Sequence, residues 1–228
     1  LEINPHKVYM DMINEYETAT GSVSPLSKEV TPEEAAQNRD VQRICAERTQ
    51  IILQYTDRFL VAIYDNLDLM LYGVRWICRQ LDKMARRKFV QASEAQIFSI
   101  VGGFFFLRFI NPIIVTPDGN SIITARPNKI TRRNLTLIAK VIQNLSNGVL
   151  FGDKEEWMNS INPFLADIRE FMDDLFRRLT DVEDLEDVLS SDATLLAQSL
   201  NLTETKRISI TYNELAQVHA LLDRNLRK

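Results

Sequence analysis

Gly102-Gly103-Phe104-Phe105-Phe106-Leu107-Arg108-Phe109-Ile110-Asn111-Pro112-Ile113-Ile114-Val115-Thr116-Pro117 is the stretch on which the reading of this chain turns. It lies in the most apolar run of the sequence, Ile97 to Val115, yet an arginine, an asparagine and a proline interrupt it. A bilayer core does not accept that trio without partners, so the run predicts a buried helix rather than a membrane span. Ser93 with Gln96 three residues on caps its start. Pro112 disfavours helical geometry in the residue before it, so the helix is expected to stop at Asn111-Pro112. Phe104 and Phe105 read as core. Arg108 is different: a guanidinium keeps its charge, and its five N–H donors need partners. Three residues before the expected stop, it can reach carbonyls at a helix end or in a neighbouring loop, as a structural brace or as a functional anchor. Asn111 is a plain terminator or a pin for an adjacent loop.

Outward from that stretch the signals stay helical. Thr31-Pro32-Glu33-Glu34 is a capping box with proline in the first turn. One long helix, straight or bent, is expected from about Pro32 to Leu69, with an apolar face of Ile51, Tyr55, Phe59, Ile63 and Leu67 and with Ile52 and Leu60 beside them. A second runs from Tyr72-Gly73 to about Lys88. Residues 116–130 read as a loop. Thr131 is expected to start a helix with Leu135, Ile138, Ile142, Leu145 and Val149 inward. Asp153 with Glu156 predicts a capped helix that Asn162-Pro163 breaks and restarts. Thr211 with Glu214 predicts a last one, Tyr212 to Leu226. Ile208-Ser209-Ile210 is the one strand-like scrap. The fold class is all-α, a single extended helical domain over residues 1–228.

Composition agrees. In 228 residues, 45% are apolar and 25% charged, ordinary values for a globular chain. Seven glycines and seven prolines are too few for a sandwich or barrel. With 27 basic against 31 acidic residues the net charge is −4, which excludes a general nucleic-acid binder. Cys45 and Cys78 make neither a disulfide framework nor a zinc set, and read as reduced thiols of a cytoplasmic protein. His6 and His219 do not suggest a metal site. The opening Leu1 to Pro5 is no signal peptide, and a chain that starts in mid-pattern is expected to be a fragment of a longer one. No phosphate loop, dinucleotide fingerprint, nucleophile elbow or zinc motif occurs, so no self-contained active site and no cofactor are expected.

Charge is uneven. No acidic residue falls between Gly119 and Gly152, whereas 13 acidic and four basic residues fall between Asp153 and Asp192. Within the first span Arg133, Thr136, Lys140, Asn144 and Asn147 recur at helical spacing, forming one polar stripe without a carboxylate. The stripe is a solvated surface or a docking face for an acidic partner.

The run from Phe106-Leu107-Arg108 through Asn111-Pro112 to Pro117 closely resembles the signature of Ras GTPase-activating proteins. The resemblance continues through Arg133 to Asn147, then Leu150-Phe151-Gly152 and Asn162-Pro163-Phe164. Glu2 to Glu17, Thr20-Gly21, Val30 to Ala35 and the tail from Ile208 to Leu222 resemble the IQGAP branch, so the likeness spans nearly the whole chain. It suggests a fungal-type Ras activator or an IQGAP-related protein. It implies an extended helical RasGAP-type domain that docks on a Ras-like small GTPase in its GTP form and stimulates hydrolysis in trans, without being a hydrolase itself. By the same resemblance Arg108 braces a finger loop, with Phe106 and Leu107 packed beneath it and Asn111 and Pro112 in support. Lys140 meets the acidic effector surface, and Arg133, Gln143, Asn144 and Asn147 line the same groove. Thr136 stands where the family can carry a second lysine, which marks a difference at that turn. The family's catalytic arginine finger would lie upstream of Leu1, so the fragment is expected to hold the C-terminal two thirds or so of the domain. Phe106-Leu107-Arg108 favours an activator. The IQGAP-like ends favour a module that binds a Rho-type GTPase without accelerating hydrolysis. Localisation is expected to be cytoplasmic, with recruitment to a membrane-bound GTPase.

Overall fold

Asn4 and Pro5 open the first helix, α1 (Pro5–Thr20): the Asn4 side chain accepts the Lys7 N–H and the proline supplies a preset first turn. The computed structural model describes residues 1–189 and tail positions 211–213, 216, 217 and 219. Leu1–Glu183 makes one compact unit; Asp184–Lys228 forms a second, in which 185–189 are helical. Ile208 to Ile210 and most of the expected helix from Tyr212 to Leu226 lie outside the described residues, of which Tyr212 and Asn213 are helical.

The helix expected over Pro32 to Leu69 is two. α2 (Pro32–Gln37) carries the capping box of Thr31 and Glu34, and Asn38 then ends α2 and caps α3 (Arg39–Asp65) by accepting the Asp40 and Val41 N–H groups. Asn38 adopts an extended backbone, so its side chain competes successfully with helix continuation. Leu67 to Leu69 are a separate 3-10 turn. The expected face is also displaced. Ile52, Leu60 and Leu67 are buried as expected, but Ile51 and Tyr55 are exposed and Thr56 takes an inner place instead. A step of four residues overshoots a helical turn by about 40°, so a strict every-fourth pattern winds off the face it started on.

α4 (Tyr72–Lys88) keeps its expected bounds. α5 (Glu94–Phe104) starts at a second capping box, Ser93 accepting the Gln96 N–H at 3.3 Å and Gln96 accepting the Ser93 N–H at 2.9 Å. It does not stop at Asn111-Pro112. It passes through a π turn (Phe105–Ile110), in which the Asn111 N–H bonds the Phe106 carbonyl, into α6 (Asn111–Val115). The π turn holds an extra residue and offsets the hydrogen-bond ladder, so a proline that lacks an N–H is passed without ending the helix. The Thr116 N–H and hydroxyl then close α6 on the Pro112 carbonyl at 3.0 and 2.7 Å.

α7 (Lys129–Asn147) is capped by Asn128 rather than started by Thr131, and ends at Gly148, whose φ of 66° suits a residue without a Cβ. Val149 therefore lies past the helix and is half exposed, not part of its inner face. Asp153 and Glu156 do not form a capping box. Asp153–Ile161 is 3-10 with no side-chain cap, and Glu155 breaks it at φ −147°, ψ 47°. Asn162-Pro163 does restart the chain, as α8 (Asn162–Asp167), followed by α9 (Arg169–Thr180).

α7 is the hub. It packs on α3, α5, α6 and α9, and α4 covers α5 and α9. Phe98 stacks on Phe176 at 5.2 Å between ring centroids, and Phe106 meets Phe176 edge-on at 6.0 Å. Such fully buried rings contribute about 1.5–3 kcal/mol each. Gly102 sits where α5 crosses α7: a Cβ there would lie 3.1 Å from both the Ser146 carbonyl and the Phe176 ring. The run 94–115 is long and apolar enough to cross a membrane, yet Ile97, Phe98, Val101, Phe105, Phe106 and Ile114 are core residues. A second, smaller core ties α1 to α2 and α3 through Val8, Tyr9, Ile13, Ala35 and Val41.

Candidate functional site

The site is the seam where the π turn and α6 meet α7. Phe106 is fully buried and anchors the turn. Asn111 is 8% exposed and its Nδ2 donates to Gln143 Oε1 at 2.9 Å. Gln143 Nε2 donates in turn to Asn147 Oδ1 at 2.9 Å and to Ser146 Oγ at 3.3 Å. A line of amides thus runs from α6 along α7. Asn111 pins a neighbouring helix rather than terminating its own, and its buried Oδ1 has no partner among the described residues. Pro112 is exposed beside it.

Leu107 and Arg108 point the other way. Leu107 is 48% exposed and lies outside the core that buries Phe106. A π turn advances each residue by less than an α turn does, which carries Leu107 off the buried face that Phe105 and Phe106 occupy. Arg108 is exposed, and Nη1 donates to the Gly103 carbonyl at 2.7 Å, its one hydrogen bond among the described residues. The arginine therefore bonds its own helix near the α-to-π junction, and no hydrogen bond or ion pair among the described residues joins it to α7.

On α7 the polar stripe is accessible. Arg133, Thr136 and Asn147 are exposed, and Lys140, Gln143 and Asn144 partly so. The Thr136 hydroxyl is turned back onto the Arg132 carbonyl at 2.9 Å. The stripe has no carboxylate of its own, but the fold brings two to it. Glu155, from the irregular 3-10 segment, bonds the Lys140 ammonium, and Glu2, from the start of the chain, bonds the Arg133 guanidinium. Glu2 is 8% exposed and is held by the Ile3 and Asn4 N–H groups at 3.1 and 2.9 Å. Arg132, beside the stripe, grips Asp118 through both carboxylate oxygens at 3.0 and 3.1 Å.

Sequence reasoning missed these counter-charges. Glu2 and Arg133 are 131 residues apart, and no periodicity reports so distant a pair. It also missed Asn162, which holds Phe151 by accepting its N–H at 2.9 Å and donating to its carbonyl at 3.0 Å, fixing the turn that carries Glu155. The Asn-Pro pair was the available signal there.

What this arrangement can do is electrostatic rather than covalent. Ion pairs whose cation remains partly exposed can exchange an internal carboxylate for one on a partner. Burial pushes the Cys78 thiol up to about 12 and raises Cys45 as well, so neither presents a thiolate nucleophile. Among the described residues no group of His, Cys, Asp and Glu side chains could hold a metal ion.

The comparisons with known proteins bear on this geometry. The family model described as GTPase-activator protein for Ras-like GTPase matches residues 1–147. The chain is 33% identical over 232 residues to the Ras GTPase-activating-like protein gapA of Dictyostelium discoideum, which covers 99% of this chain and 26% of that protein. It is 32% identical to the Ras GTPase-activating-like protein IQGAP2 of Mus musculus over 97% of this chain and 14% of that protein. To Neurofibromin-A of Dictyostelium discoideum it is 49% identical over 79 residues, 34% of this chain and 9% of that protein. The chain thus spans between 9% and 26% of the length of these relatives. Because the family match runs from α1 through the π turn to the end of α7, the elements that build the seam, the chain belongs to the RasGAP family.

Proposed function

We propose that the chain is the docking and bracing part of a GTPase activator. It grips a Ras-like small GTPase in its GTP form and, with an arginine finger contributed from upstream, stimulates hydrolysis in trans; it hydrolyses nothing itself. The observation that carries this reading is the accessible α7 face, where Arg133 and Lys140 stand with Asn144 and Asn147 on the helix that the π turn and α6 pack against. Phosphoryl transfer needs positive charge where the β- and γ-phosphate oxygens gain negative charge, and a positioned water, more than it needs covalent help. An inserted arginine supplies that charge and is worth about 10³–10⁵ in rate in GTPases generally. Arg108, fixed near the α-to-π junction, has donors left to hold the backbone of such a finger loop. Domain limits of 1–228, a cytoplasmic location and recruitment to a membrane-bound GTPase belong to the same proposal.

A second reading is favoured by one observation: the likeness to gapA and IQGAP2 runs over 99% and 97% of the chain, whereas the likeness to Neurofibromin-A is confined to 34%. In that reading the same groove binds a Rho-type GTPase without accelerating hydrolysis. Single-turnover phosphate release by the full-length protein, with GTP-loaded Ras-like and Rho-like GTPases, separates the two. Acceleration on a Ras-like GTPase supports the first. Tight binding to a Rho-type GTPase with an unchanged rate supports the second. Absence of binding to both removes both.

A further inference from the structure

The end of α4 and the start of α5 carry an apolar surface that the GTPase reading does not use. Met84, Phe89, Val90 and Ile100 are 63%, 47%, 81% and 38% exposed. Ile77, Leu81, Met84 and Lys88 follow one another along α4 at helical spacing. Two adjoining hollows of about 500 and 610 Å3 lie along this surface and share Lys88, Phe89 and Ile100 as lining. Single exposed apolar residues are ordinary, but a contiguous patch with polar edges marks an interaction surface.

Its charge is one-sided. α4 closes with Arg86-Arg87-Lys88. Arg86 is already engaged by Asp82 at 2.8 Å and Glu94 at 3.2 Å. Arg87 and Lys88, which edge the first hollow, have no carboxylate partner among the described residues, and Lys88 Nζ stands 5.6 Å from the Phe89 ring centroid. No acidic side chain lines either hollow; the second is closed by Gln91, Gln96 and Ser99.

These features select among occupants. The trough runs over the last turns of α4, the turn 89–92 and the start of α5. The helical parts have their backbone groups paired, so an extended peptide would find few backbone partners along them. A helix brings its backbone already satisfied and lays a row of apolar side chains into the space between two others. A bilayer is the poorer fit. Two unpaired cations are fewer than the clusters of about four to eight that capture anionic headgroups.

We propose that this trough docks an acidic amphipathic helix of a partner protein, its apolar ridge filling the hollows on either side of Phe89 and its carboxylates meeting Arg87 and Lys88. The surface is separate from the α7 face, so the proposal does not depend on the GTPase reading. The probe is a labelled synthetic helix with leucine at i, i+3, i+4 and i+7 and glutamate elsewhere, titrated against the whole chain by fluorescence anisotropy. Saturable binding is expected, weakened about tenfold or more by Met84→Glu and by Lys88→Glu, as anchor residues of an interface are. Both positions are on the surface, and α4 keeps its core contacts through Cys78 and Ala85 in either variant. Absence of saturable binding overturns the proposal. So does equal binding of the same helix with lysine for glutamate, or binding that Met84→Glu leaves intact. Co-sedimentation of the chain with phosphatidylserine vesicles that Lys88→Glu abolishes would assign the surface to a membrane instead.

Discussion

Lys140 is bonded to Glu155 and Arg133 to Glu2, so the two cations of the α7 face rest on internal carboxylates. A partner that docks there must supply charge good enough to replace them. Lys140→Glu removes the attraction and sets a new carboxylate beside Glu155. The expected loss of affinity for the GTP-loaded partner is on the order of 2 kcal/mol, about 30-fold, read by isothermal titration. The fold should tolerate the change, since an exposed pair of this kind is worth at most about 1 kcal/mol. Arg108 gives the complementary case. It is exposed and makes a single bond to Gly103, so Arg108→Ala should leave the thermal midpoint almost unmoved. If it braces a finger loop, single-turnover hydrolysis should fall on the order of 10²-fold, the cost of slight misplacement of a catalytic group, with GTPase affinity retained. A variant that binds and turns over like the parent would remove Arg108 from the mechanism.

At the scale of elements, the α5–α7 crossing is set by Gly102. Gly102→Ala would gain about 1 kcal/mol of helix propensity but would press a methyl group onto the Ser146 carbonyl and the Phe176 ring, at a cost of about 1–3 kcal/mol. A net destabilisation of about 1 kcal/mol is expected in denaturant titration, because a backbone oxygen inside a packed helix cannot move aside. The turn after α3 is tied to α9 differently. Asp68 pairs with Arg178 at 2.5 Å and with Arg75 at 3.2 Å, and the hydrogen bond from Arg178 holds its carboxyl below the ordinary value of 3.8. Ionised Asp68 therefore stabilises the fold above that value, and the contribution disappears as pH falls through the lower folded value. The difference in thermal midpoint between the parent and Asp68→Asn should shrink as pH is lowered through the ordinary value of 3.8 and further below it. A difference that grows on acidification would contradict the pairing.

For the molecule as a whole, Cys78 reports on the integrity of the main core. It is fully buried on α4 and its thiol is pushed up to about 12, whereas Cys45 is only partly covered. At alkaline pH iodoacetamide should modify the partly covered Cys45 slowly in the native protein and reach Cys78 only when the core opens, so the Cys78 labelling rate should track global unfolding in denaturant. The all-α class was legible because helix punctuation is local. The boxes at Thr31-Glu34 and Ser93-Gln96 both form, as does the restart at Asn162-Pro163. The placement of Phe106 and of the Arg133–Asn147 stripe followed from spacing and resemblance. The rest depends on tertiary structure. Which side of α3 is buried is decided by the winding of a long helix against α7, and the carboxylates opposite Lys140 and Arg133 arrive from elsewhere in the chain. The π turn was invisible because no residue type marks it, and it is the reason that Leu107 faces outward.

That turn also works as slack in a rope. Because it carries one residue more than the α register requires, excising a single position between Phe105 and Ile110 would let the rod run straight on, with every buried phenylalanine before it undisturbed. All that follows would swivel by about 100°. Asn111 would then swing away from Gln143 and Ile114 would leave the core, so the seam would lose its hydrogen bond and its packing together.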